Sequence, residues 1–536
     1  MGAAHTSMVG SDPGIPLDLW SQTAPRDWVA YGMCFPHSGG RRDREKATQA
    51  LQAALNRLAR ERPRYAGRLR LSRNPETPGR LLWTASTSID FRSRDISDEV
   101  DVSYDQLRNR GFPASFFHNP NIFVLGINPN PADATQPGGS TPLAVAKGGA
   151  AAAAASTTEV RVEVPVVAIR CFFIKGGLIL QACLHHAFGD GCCMHDFLHD
   201  LALVTRGQPV LPRLDRRRLH LPPDFLRSDC PETGAAAAAA RHESREAKAE
   251  RLVDLCPEYK FDPQWFTGPT QPHRSRDAPA PPQERVECVV VTITTAKLAA
   301  LRRCLRSAHG SEPSDYIALS TLTWAYVTLH RSEQEGCGGS REEKMIATLS
   351  NPVNWKRKLP RVPYVDLLKD YFGNATAKCL THFELGGLAD AARACAPVPR
   401  ATTTEASRGD DDASLEADPR LNINAVDKSY VGVRMDLYRA LPDPRNLGLV
   451  DDPYSVAHMQ FNTWKAFGSD AMANGGARAE SVRKVMMGKQ PDYRNVLIMP
   501  TVRPQGETEI LISLPARSLA ALLKDEGFTR WFCSVC

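Results

Sequence analysis

The sequence has no long apolar run. Although 42% of its 536 residues are hydrophobic, no stretch approaches the ~20 consecutive apolar residues that a membrane-spanning helix requires. The N-terminal region also lacks an apolar segment of the length found in signal peptides. Met1 to Thr6 fit the N-myristoylation pattern, but a pattern this short recurs often by chance. We therefore expect a cytoplasmic protein without a membrane span.

An excess of charge of one sign is also missing. The 66 Lys and Arg residues outnumber the 60 Asp and Glu residues by 6, and the basic residues are interleaved with acidic ones. Nucleic-acid-binding proteins usually gather their basic residues on one face, so we expect no nucleic-acid partner. A mild positive balance still favours the attraction of an anionic cofactor.

The cysteines form neither a disulfide framework nor a metal-binding pattern. The 14 cysteines follow no regular spacing, and in a reducing compartment they act as small apolar residues. Cys533 and Cys536 form a single C-x-x-C pair, which without a second pair is a poor zinc site. Cys192 and Cys193 are interpreted as packing residues at a helix start, not as nucleophiles. We predict no metal site.

Three segments have compositions that cannot form a core, namely 128–158, 231–250 and 396–419. They contain alanine runs, many small or polar residues and three consecutive aspartates, and they bury too little apolar surface to offset the entropy cost of ordering. We expect exposed loops there, although the charged end of the second segment is compatible with a helix. The length of the chain suggests two or three domains.

Between these segments, apolar periodicity and turn residues predict regular elements. The predicted helices are 47–60, 191–205, 314–330 with Ser314 as its cap, 518–524, and one that follows a cap at Thr295. The predicted strands are 164–173, 178–184, 286–293, 495–499 and 509–514. Because strands and helices do not alternate regularly, we predict an α/β fold of the mixed-sheet, α+β kind.

The strongest chemical signal is a pair of histidines between a predicted strand and a predicted helix. His186 stands at the strand end, and histidine is the side chain best suited to take up a proton near neutral pH. Asp190 has two interpretations: it orients the imidazole directly, as in a catalytic triad, or it turns away and locks the loop through a cation. Because neighbouring strand residues point to opposite faces, His185 and His186 are poorly placed to share a metal ion.

These residues resemble the active-site motif of the BAHD acyltransferases, which belong to the chloramphenicol acetyltransferase-like superfamily with the condensation domains of nonribosomal peptide synthetases. Other segments are similar to family motifs in the same order, and the first ones resemble the fungal branch that includes trichothecene 3-O-acetyltransferase. The matching segments are 17–20, 25–26, 34–36, 62–69, 185–191, 314–324, 353–360, 371–375, 462–464, 499–500 and 509–514.

The resemblance implies two chloramphenicol-acetyltransferase-like domains with a solvent channel between them. The N-terminal domain would cover residues 1–211, a long crossover linker 212–285, and the C-terminal domain 286–536. The implied activity is acyl-CoA-dependent transfer of an acyl group, by default acetyl, to a hydroxyl or amine of a small secondary metabolite. Acyl-CoA is then a co-substrate, no cofactor is bound permanently, and we predict a monomer.

The resemblance also implies a role for each site residue. His186 is the general base, Trp464 donates its indole N–H to the oxyanion, and Asp190 is structural. The cation that pairs with Asp190 aligns with Lys356, or with Arg357 after a shift of one residue. The cofactor-binding residues that we predict are Ser314, Asn462 and Thr463.

The sequence departs from the family pattern at three points. Lys356 stands where arginine is usual and loses the bidentate fork, Ile317 stands where aspartate is usual, and 470–476 lacks the aromatic residues of a late structural element. Two alternatives therefore stay open. One is a condensation-like domain that uses carrier-bound acyl groups, and the other is an impaired homologue that binds coenzyme A or another ligand without turnover.

Overall fold

The fold is described here from a computed structural model of the chain. The residues that it describes are 14–119, 121–123, 125–127, 163–210, 221, 225–226, 243–261, 285–305, 312–335, 345–360, 364, 368, 371–394, 423–450, 455–465, 473–474, 477–485, 495–500 and 507–534. None of the helices in these ranges is both long and apolar enough to cross a bilayer.

The strands of the described part group into two large sheets and three small ones. In chain order they are β1 (Ile15–Pro16), β2 (Trp28–Pro36), β3 (Arg68–Leu71), β4 (Leu81–Thr84), β5 (Asp90–Asp95), β6 (Val164–Pro165), β7 (Val167–Ile174), β8 (Gly177–His185), β9 (Tyr259–Phe261), β10 (Val286–Thr294), β11 (Ile346–Asn354), β12 (Thr376–Glu384), β13 (Leu447–Leu449), β14 (His458–Thr463), β15 (Ala473–Asn474), β16 (Ala477–Arg478), β17 (Ser481–Lys484), β18 (Asn495–Ile498), β19 (Glu507–Pro515) and β20 (Cys533–Ser534).

The helices pack against these sheets. In chain order they are α1 (Leu19–Gln22), α2 (Arg41–Glu61), α3 (Tyr104–Asn109), α4 (Ala114–Phe117), α5 (Gly191–Thr205), α6 (Arg245–Val253), α7 (Thr295–Cys304), α8 (Asp315–Glu335), α9 (Leu385–Ala394), α10 (Lys428–Ala440), α11 (Ala516–Leu522) and α12 (Glu526–Thr529). Short 3₁₀ turns occupy Pro63–Ala66, Trp355–Arg357 and Pro444–Asn446.

The first large sheet has the strand order β17-β2-β8-β7-β5. The strands predicted at 164–173 and 178–184 form a hairpin, since β7 and β8 pair antiparallel with Ile174 opposite Gly177. Gly176 in the turn has a φ of +79°, which glycine adopts without strain. The edge strand β17 belongs to the C-terminal part of the sequence but pairs antiparallel with β2, so the two halves of the chain share this sheet.

The second large sheet has the strand order β12-β11-β14-β18-β19-β10-β20. Its pairs are antiparallel, except that β14 runs parallel to both β11 and β18. The strands predicted at 495–499 and 509–514 are neighbours, because β18 and β19 lie antiparallel with Val496 opposite Ile512. The parallel placement of β14 brings its C-terminal end, Asn462 and Thr463, to the edge of the sheet that faces the first half.

The largest core cluster is continuous between the two sheets. It joins apolar side chains of β2, β7, β8 and α5 to Trp464, Leu497 and Leu511 from the second sheet. A direct ion pair supports the same junction, since a guanidinium nitrogen of Arg483 on β17 lies 2.8 Å from the carboxylate of Glu509 on β19. Residues from both halves of the chain therefore surround the segment that follows β8.

Most of the predicted elements are present with shifted ends. The helix predicted at 191–205 is Gly191–Thr205, the one at 47–60 extends to Arg41–Glu61, and the one at 518–524 is Ala516–Leu522. Thr295 was wrong as a cap, because Thr294 takes this position and its hydroxyl accepts from the backbone nitrogen of Lys297.

The low-complexity segments lie mainly outside the described residues. This holds for 128–158, 396–419 and 231–242, and for most of the predicted crossover linker. The end of the second segment belongs to α6, so a loop there was wrong and a charged helix is correct. The helix buries Ala249 and Leu252 against a cluster that contains Trp355, which supplies the apolar contact that its composition did not show. The predicted domain boundaries stay a prediction.

Candidate active site

His186 lies one residue beyond the end of β8. Its backbone nitrogen donates a 2.7 Å hydrogen bond to the carbonyl oxygen of Asp27, which continues the β2–β8 ladder by one pair. Its carbonyl oxygen accepts a 2.7 Å hydrogen bond from Nδ2 of Asn374. The residue is partly exposed, and Nδ1 has no hydrogen-bond partner within the described residues. Both halves of the molecule thus hold the main chain of His186, while its Nδ1 is buried and, within the described residues, makes no hydrogen bond.

His185 points away from this position. It is fully buried, its ring meets that of Trp28 edge to face at 5.4 Å, and its Nδ1 accepts a hydrogen bond from the backbone nitrogen of Ala187. The two adjacent histidines therefore occupy opposite faces, as strand geometry requires. Among the described residues, no three His, Cys, Asp or Glu side chains are grouped as metal ligands would be.

Asp190 is buried and serves as the N-cap of α5. Its Oδ1 accepts hydrogen bonds from the backbone nitrogens of Cys192 at 3.0 Å and Cys193 at 3.2 Å. Its Oδ2 accepts a 3.0 Å hydrogen bond from the backbone nitrogen of Ala375 and a longer one from the hydroxyl of Thr376. The carboxylate therefore joins the start of α5 to the start of β12, and these four contacts lock the His186 loop. None of them is to the imidazole.

Lys356 is the cation nearer to Asp190. Burial lowers the pKa of Lys356, but the negative charge of Asp190 and the adjacent thiols more than offset this, and the net pKa is raised. Lys356 is largely buried in the 3₁₀ turn after β11, with its ammonium 5.4 Å from the ring centre of Tyr371, whereas Arg357 is exposed. Within the described residues, the attraction between Lys356 and Asp190 acts over a distance longer than a direct ion pair.

Trp464 lies beside the first sheet, although it follows a strand of the second. Its backbone nitrogen donates a 2.8 Å hydrogen bond to the carbonyl oxygen of Ile498. Its ring packs on that of Tyr31 with centroids 4.4 Å apart and planes inclined by 42°. The side chain is 8% exposed. The structure therefore brings Trp464 to the same region as the start of α5.

The predicted cofactor-binding residues are gathered where β14 ends and α8 begins. The hydroxyl of Thr463 accepts a hydrogen bond from the backbone nitrogen of Lys465, and the Lys465 ammonium lies 3.2 Å from a carboxylate oxygen of Asp315. Ser314 precedes Asp315 and caps the helix through Oγ, which agrees with its predicted capping role. Asn462 accepts from the backbone nitrogen of Thr463. The three predicted residues are therefore neighbours.

Two thiols lie at the start of α5. Sγ of Cys192 accepts a 3.1 Å hydrogen bond from Nδ2 of Asn354. Burial, assisted by the charge of Asp190, raises the pKa of Cys192 to about 11. Burial raises the pKa of Cys193 well above its ordinary value, and its thiol faces the carbonyl oxygen of Gly373. Both groups stay protonated near neutral pH, which agrees with packing residues and not with nucleophiles.

Sequence reasoning missed a polar network that supports His186. Ser21 Oγ accepts hydrogen bonds from the backbone nitrogen of Asn374 at 3.1 Å and from its Nδ2 at 3.4 Å. Asp18 caps α1 through hydrogen bonds from the backbone nitrogens of Trp20 and Ser21. The segments 17–20 and 371–375 were noticed as matches to family motifs, but a motif does not state which atoms its residues contact.

Asp27 is a second acidic group that sequence reasoning missed. Burial raises the pKa of the Asp27 carboxyl, and the nearby charges of His186 and Lys484 partly offset this effect. Because the strand register places Asp27 opposite His186, a positive charge on the imidazole would be attracted to this carboxylate. The carboxylate of Asp27 can therefore favour proton uptake by His186.

One family of known proteins matches the sequence. The sequence model of the Transferase family covers residues 152–390. A sequence comparison with curated proteins found no significant match.

Several solved structures of TRI101 resemble this chain over nearly its whole length. TRI101 of F. graminearum with coenzyme A and deoxynivalenol has a TM-score of 0.68 at 16% identity and covers 98% of this chain and 100% of its own. The same protein with ethyl coenzyme A has a TM-score of 0.67 at 17% identity, with 98% and 99% covered. TRI101 of F. sporotrichioides with coenzyme A and T-2 has a TM-score of 0.63 at 17% identity, with 97% and 100% covered. At these identities the likeness establishes the fold, and the predicted mixed-sheet α/β fold with two chloramphenicol-acetyltransferase-like domains is confirmed.

Proposed function

We propose that this chain transfers an acyl group from coenzyme A to a hydroxyl of a small molecule. The match of residues 152–390 to the Transferase family model supports this proposal and agrees with the BAHD resemblance. The proposal assigns the role of general base to His186. The observation that carries it is the state of this residue, whose main chain is held by Asp27 and Asn374, while the residue is partly exposed and its buried Nδ1 has no hydrogen-bond partner within the described residues.

The proposed chemistry needs a proton acceptor next to the attacking group. The acceptor oxygen attacks the thioester carbon and gives its proton to a ring nitrogen of His186. The carbon–oxygen bond forms as the carbonyl π electrons move onto the oxygen. The resulting oxyanion then collapses, the carbon–sulfur bond breaks, and the thiolate leaves with the proton that His186 returns. Both substrates are present together, so proximity replaces a covalent acyl-enzyme.

Charge on the oxyanion needs a donor that is already in place. Trp464 is the proposed donor, because its ring lies at the junction of the two halves and keeps a small exposed fraction of 8%. Asp190 is proposed as a structural residue, since its carboxylate accepts four hydrogen bonds that link α5 to β12. Lys356, not the exposed Arg357, is proposed as the cation that complements it.

Coenzyme A is proposed as the acyl carrier on two grounds. The TRI101 structures that share this fold contain coenzyme A or ethyl coenzyme A. The residues predicted to bind the cofactor, Ser314, Asn462 and Thr463, meet around the ion pair of Lys465 with Asp315. The acetyl group is the proposed default, and the acceptor is proposed to be a small-molecule alcohol. A cytoplasmic location and a monomeric state belong to the same proposal.

Release of free thiol tests the proposal directly. Purified protein is incubated with acetyl-CoA and a panel of polycyclic and aliphatic alcohols, and the free thiol is measured with a chromogenic disulfide. We expect acceptor-dependent release that His186→Ala abolishes. The matched control is His382→Ala, because His382 is exposed on β12 six residues beyond Thr376. Full turnover by His186→Ala would eliminate the proposed base.

The same assay separates the two other hypotheses. Turnover with an acyl group loaded on a carrier protein, and none with free acyl-CoA, would indicate a condensation-like activity. Binding of coenzyme A measured by calorimetry, without thiol release across the whole panel, would indicate a binding protein. Gel filtration with light scattering measures the oligomeric state.

A further inference from the structure

Tyr31 carries a polar group that the fold leaves unpaired. The residue lies in β2 and is 0% exposed, and its hydroxyl has no hydrogen-bond partner within the described residues. A buried hydroxyl without a partner lowers the stability of the folded protein. Such groups are rare, so each one needs a reason. We consider that this hydroxyl is kept unpaired because it binds a ligand during the proposed reaction.

The strand register places Tyr31 on the face of the sheet that carries His186. Tyr31 pairs with Ala182 across β2 and β8, and the hydrogen bond from His186 to Asp27 extends the same register. Because side chains alternate along a strand, Asp27 and Tyr31 project to one face. They are four residues apart, or on the order of 13 Å along the strand. The register places Val29 and Leu184 on this face between Tyr31 and His186, so a thioester that reaches both residues would have to extend over these two side chains.

The surroundings of the hydroxyl favour a neutral donor. Burial raises the pKa of Tyr31 well above its ordinary value, and the negative charge of Asp190 acts in the same direction. The phenol therefore keeps its proton throughout the range in which an enzyme of this kind works. A protonated phenol in a region shielded from water is a strong hydrogen-bond donor.

Tyr31 also lies against the proposed indole donor. The Tyr31 and Trp464 rings are 4.4 Å apart between centroids, and both belong to the core cluster at the junction of the halves. An indole N–H and a phenol O–H side by side would form the paired donors of an oxyanion site. The hydroxyl of Tyr31 is buried, so binding of the acyl group must move some of the side chains that cover it.

We infer that Tyr31 is a catalytic residue whose hydroxyl donates a hydrogen bond to the carbonyl oxygen of the acyl thioester, beside the indole of Trp464. The inference rests on the proposed function. The phenol keeps its proton throughout: it stabilises the oxygen as the carbonyl π electrons move onto it and releases it when the carbon–sulfur bond breaks. Its contribution grows with the negative charge, so it acts on kcat more than on the binding of acyl-CoA.

Tyr31→Phe gives this inference a signature that a structural role cannot produce. The change removes an unpaired hydroxyl and no protein hydrogen bond, so the melting temperature of the empty protein should stay the same or rise. Turnover should fall by about 100-fold in kcat, as expected for the loss of one oxyanion donor, with little change in KM for acetyl-CoA.

The matched control is Tyr438→Phe. Tyr438 is also buried, but its hydroxyl is paired with that of Tyr259 at 2.7 Å, away from the candidate site. This variant should melt at a lower temperature and keep its kcat when assayed below that temperature.

Wild type, Tyr31→Phe, Tyr438→Phe and His186→Ala are compared by thermal unfolding and by thiol release with acetyl-CoA. A lower kcat in Tyr31→Phe with undiminished stability supports the inference. Wild-type kcat in Tyr31→Phe, while His186→Ala is inactive, overturns the inference and leaves the proposed function intact. A wild-type protein that releases no thiol from any acyl-CoA overturns both.

Discussion

Nδ2 of Asn374 and the carbonyl oxygen of His186 are joined by a hydrogen bond of 2.7 Å. This bond ties the turn before β12 to the loop after β8, so the second half of the chain fixes the main chain of the candidate base. Ser21 extends the link to α1 through its two hydrogen bonds with Asn374. Three segments distant in sequence therefore determine where one imidazole stands.

Asn374→Ala should reduce kcat by about tenfold or more, because a small displacement of a general base is costly to a reaction that depends on alignment. KM for acetyl-CoA should change little, since Asn374 lies on the side of His186 and not at the end of β14. Steady-state thiol release measures both constants. Ser21→Ala is the matched control: it removes the partner of Asn374 but leaves the bond to His186, so its loss of kcat should be smaller. Wild-type kcat in Asn374→Ala would show that the loop does not need this support.

Asp190→Asn should destabilise the protein by about 1–3 kcal/mol, measured by urea unfolding. The carboxylate accepts four hydrogen bonds through its two oxygens, and an amide would turn a donor toward buried donors that it cannot pair with. Asp427→Asn is the control, because Asp427 caps α10 through a hydrogen bond from the nitrogen of Tyr430 and is exposed. There Asn caps about as well as Asp. Equal stabilities for the two variants would contradict the structural role of Asp190.

The local elements around the site could be predicted because their signals are local. The hairpin of β7 and β8 follows from two β-branched runs with Gly176 in the turn. Helix α5 follows from the apolar run in 191–205, and its bounds agree with the prediction, whereas the capping role of Asp190 was not predicted. Near neighbours in sequence were enough to place His186 after a strand and Asp190 before a helix.

The contacts of the site could not be predicted because they connect distant segments. Asn374 meets His186 across 188 residues, and no periodicity reports such a pairing. Tyr31 lies in β2, a strand that was not among the predicted ones. Only the register of β2 against β8 puts its hydroxyl on the same face as His186. The pairing of β17 with β2 in the first sheet also could not be predicted, because the sequence of a four-residue strand does not indicate which strand it pairs with.

Cys192→Ser should keep turnover within about threefold of the wild type. Burial and the charge of Asp190 raise the pKa of Cys192 to about 11, so the thiol is a poor nucleophile at neutral pH and the proposed mechanism does not use it. Iodoacetamide at pH 7.5 should label Cys304, which is exposed, much faster than Cys192, as peptide mass spectrometry would show. An acyl group found on Cys192 after incubation with acetyl-CoA would contradict direct transfer.

Asp18→Asn should change the dependence of stability on pH. Asp18 is 7% exposed, and burial raises its pKa from 3.8 to about 6 against the opposing hydrogen bonds from Ser21, Tyr371 and Trp20. Because the folded protein holds this proton more tightly than the unfolded chain does, the group favours folding below about pH 4. That contribution is lost as the pH rises through 6, by about 3 kcal/mol in total.

Asparagine still caps α1 but does not titrate. The stability of the wild type relative to Asp18→Asn should therefore fall by about 2 kcal/mol between pH 4 and pH 7. Urea unfolding at several pH values measures this difference. Asp427→Asn, at an exposed cap, should show a much smaller change over the same interval. A constant difference in unfolding free energy between the wild type and Asp18→Asn from pH 4 to pH 7 would contradict this prediction. It would mean that the carboxyl of Asp18 has the same pKa in the folded and unfolded states, so that its burial would not raise the pKa.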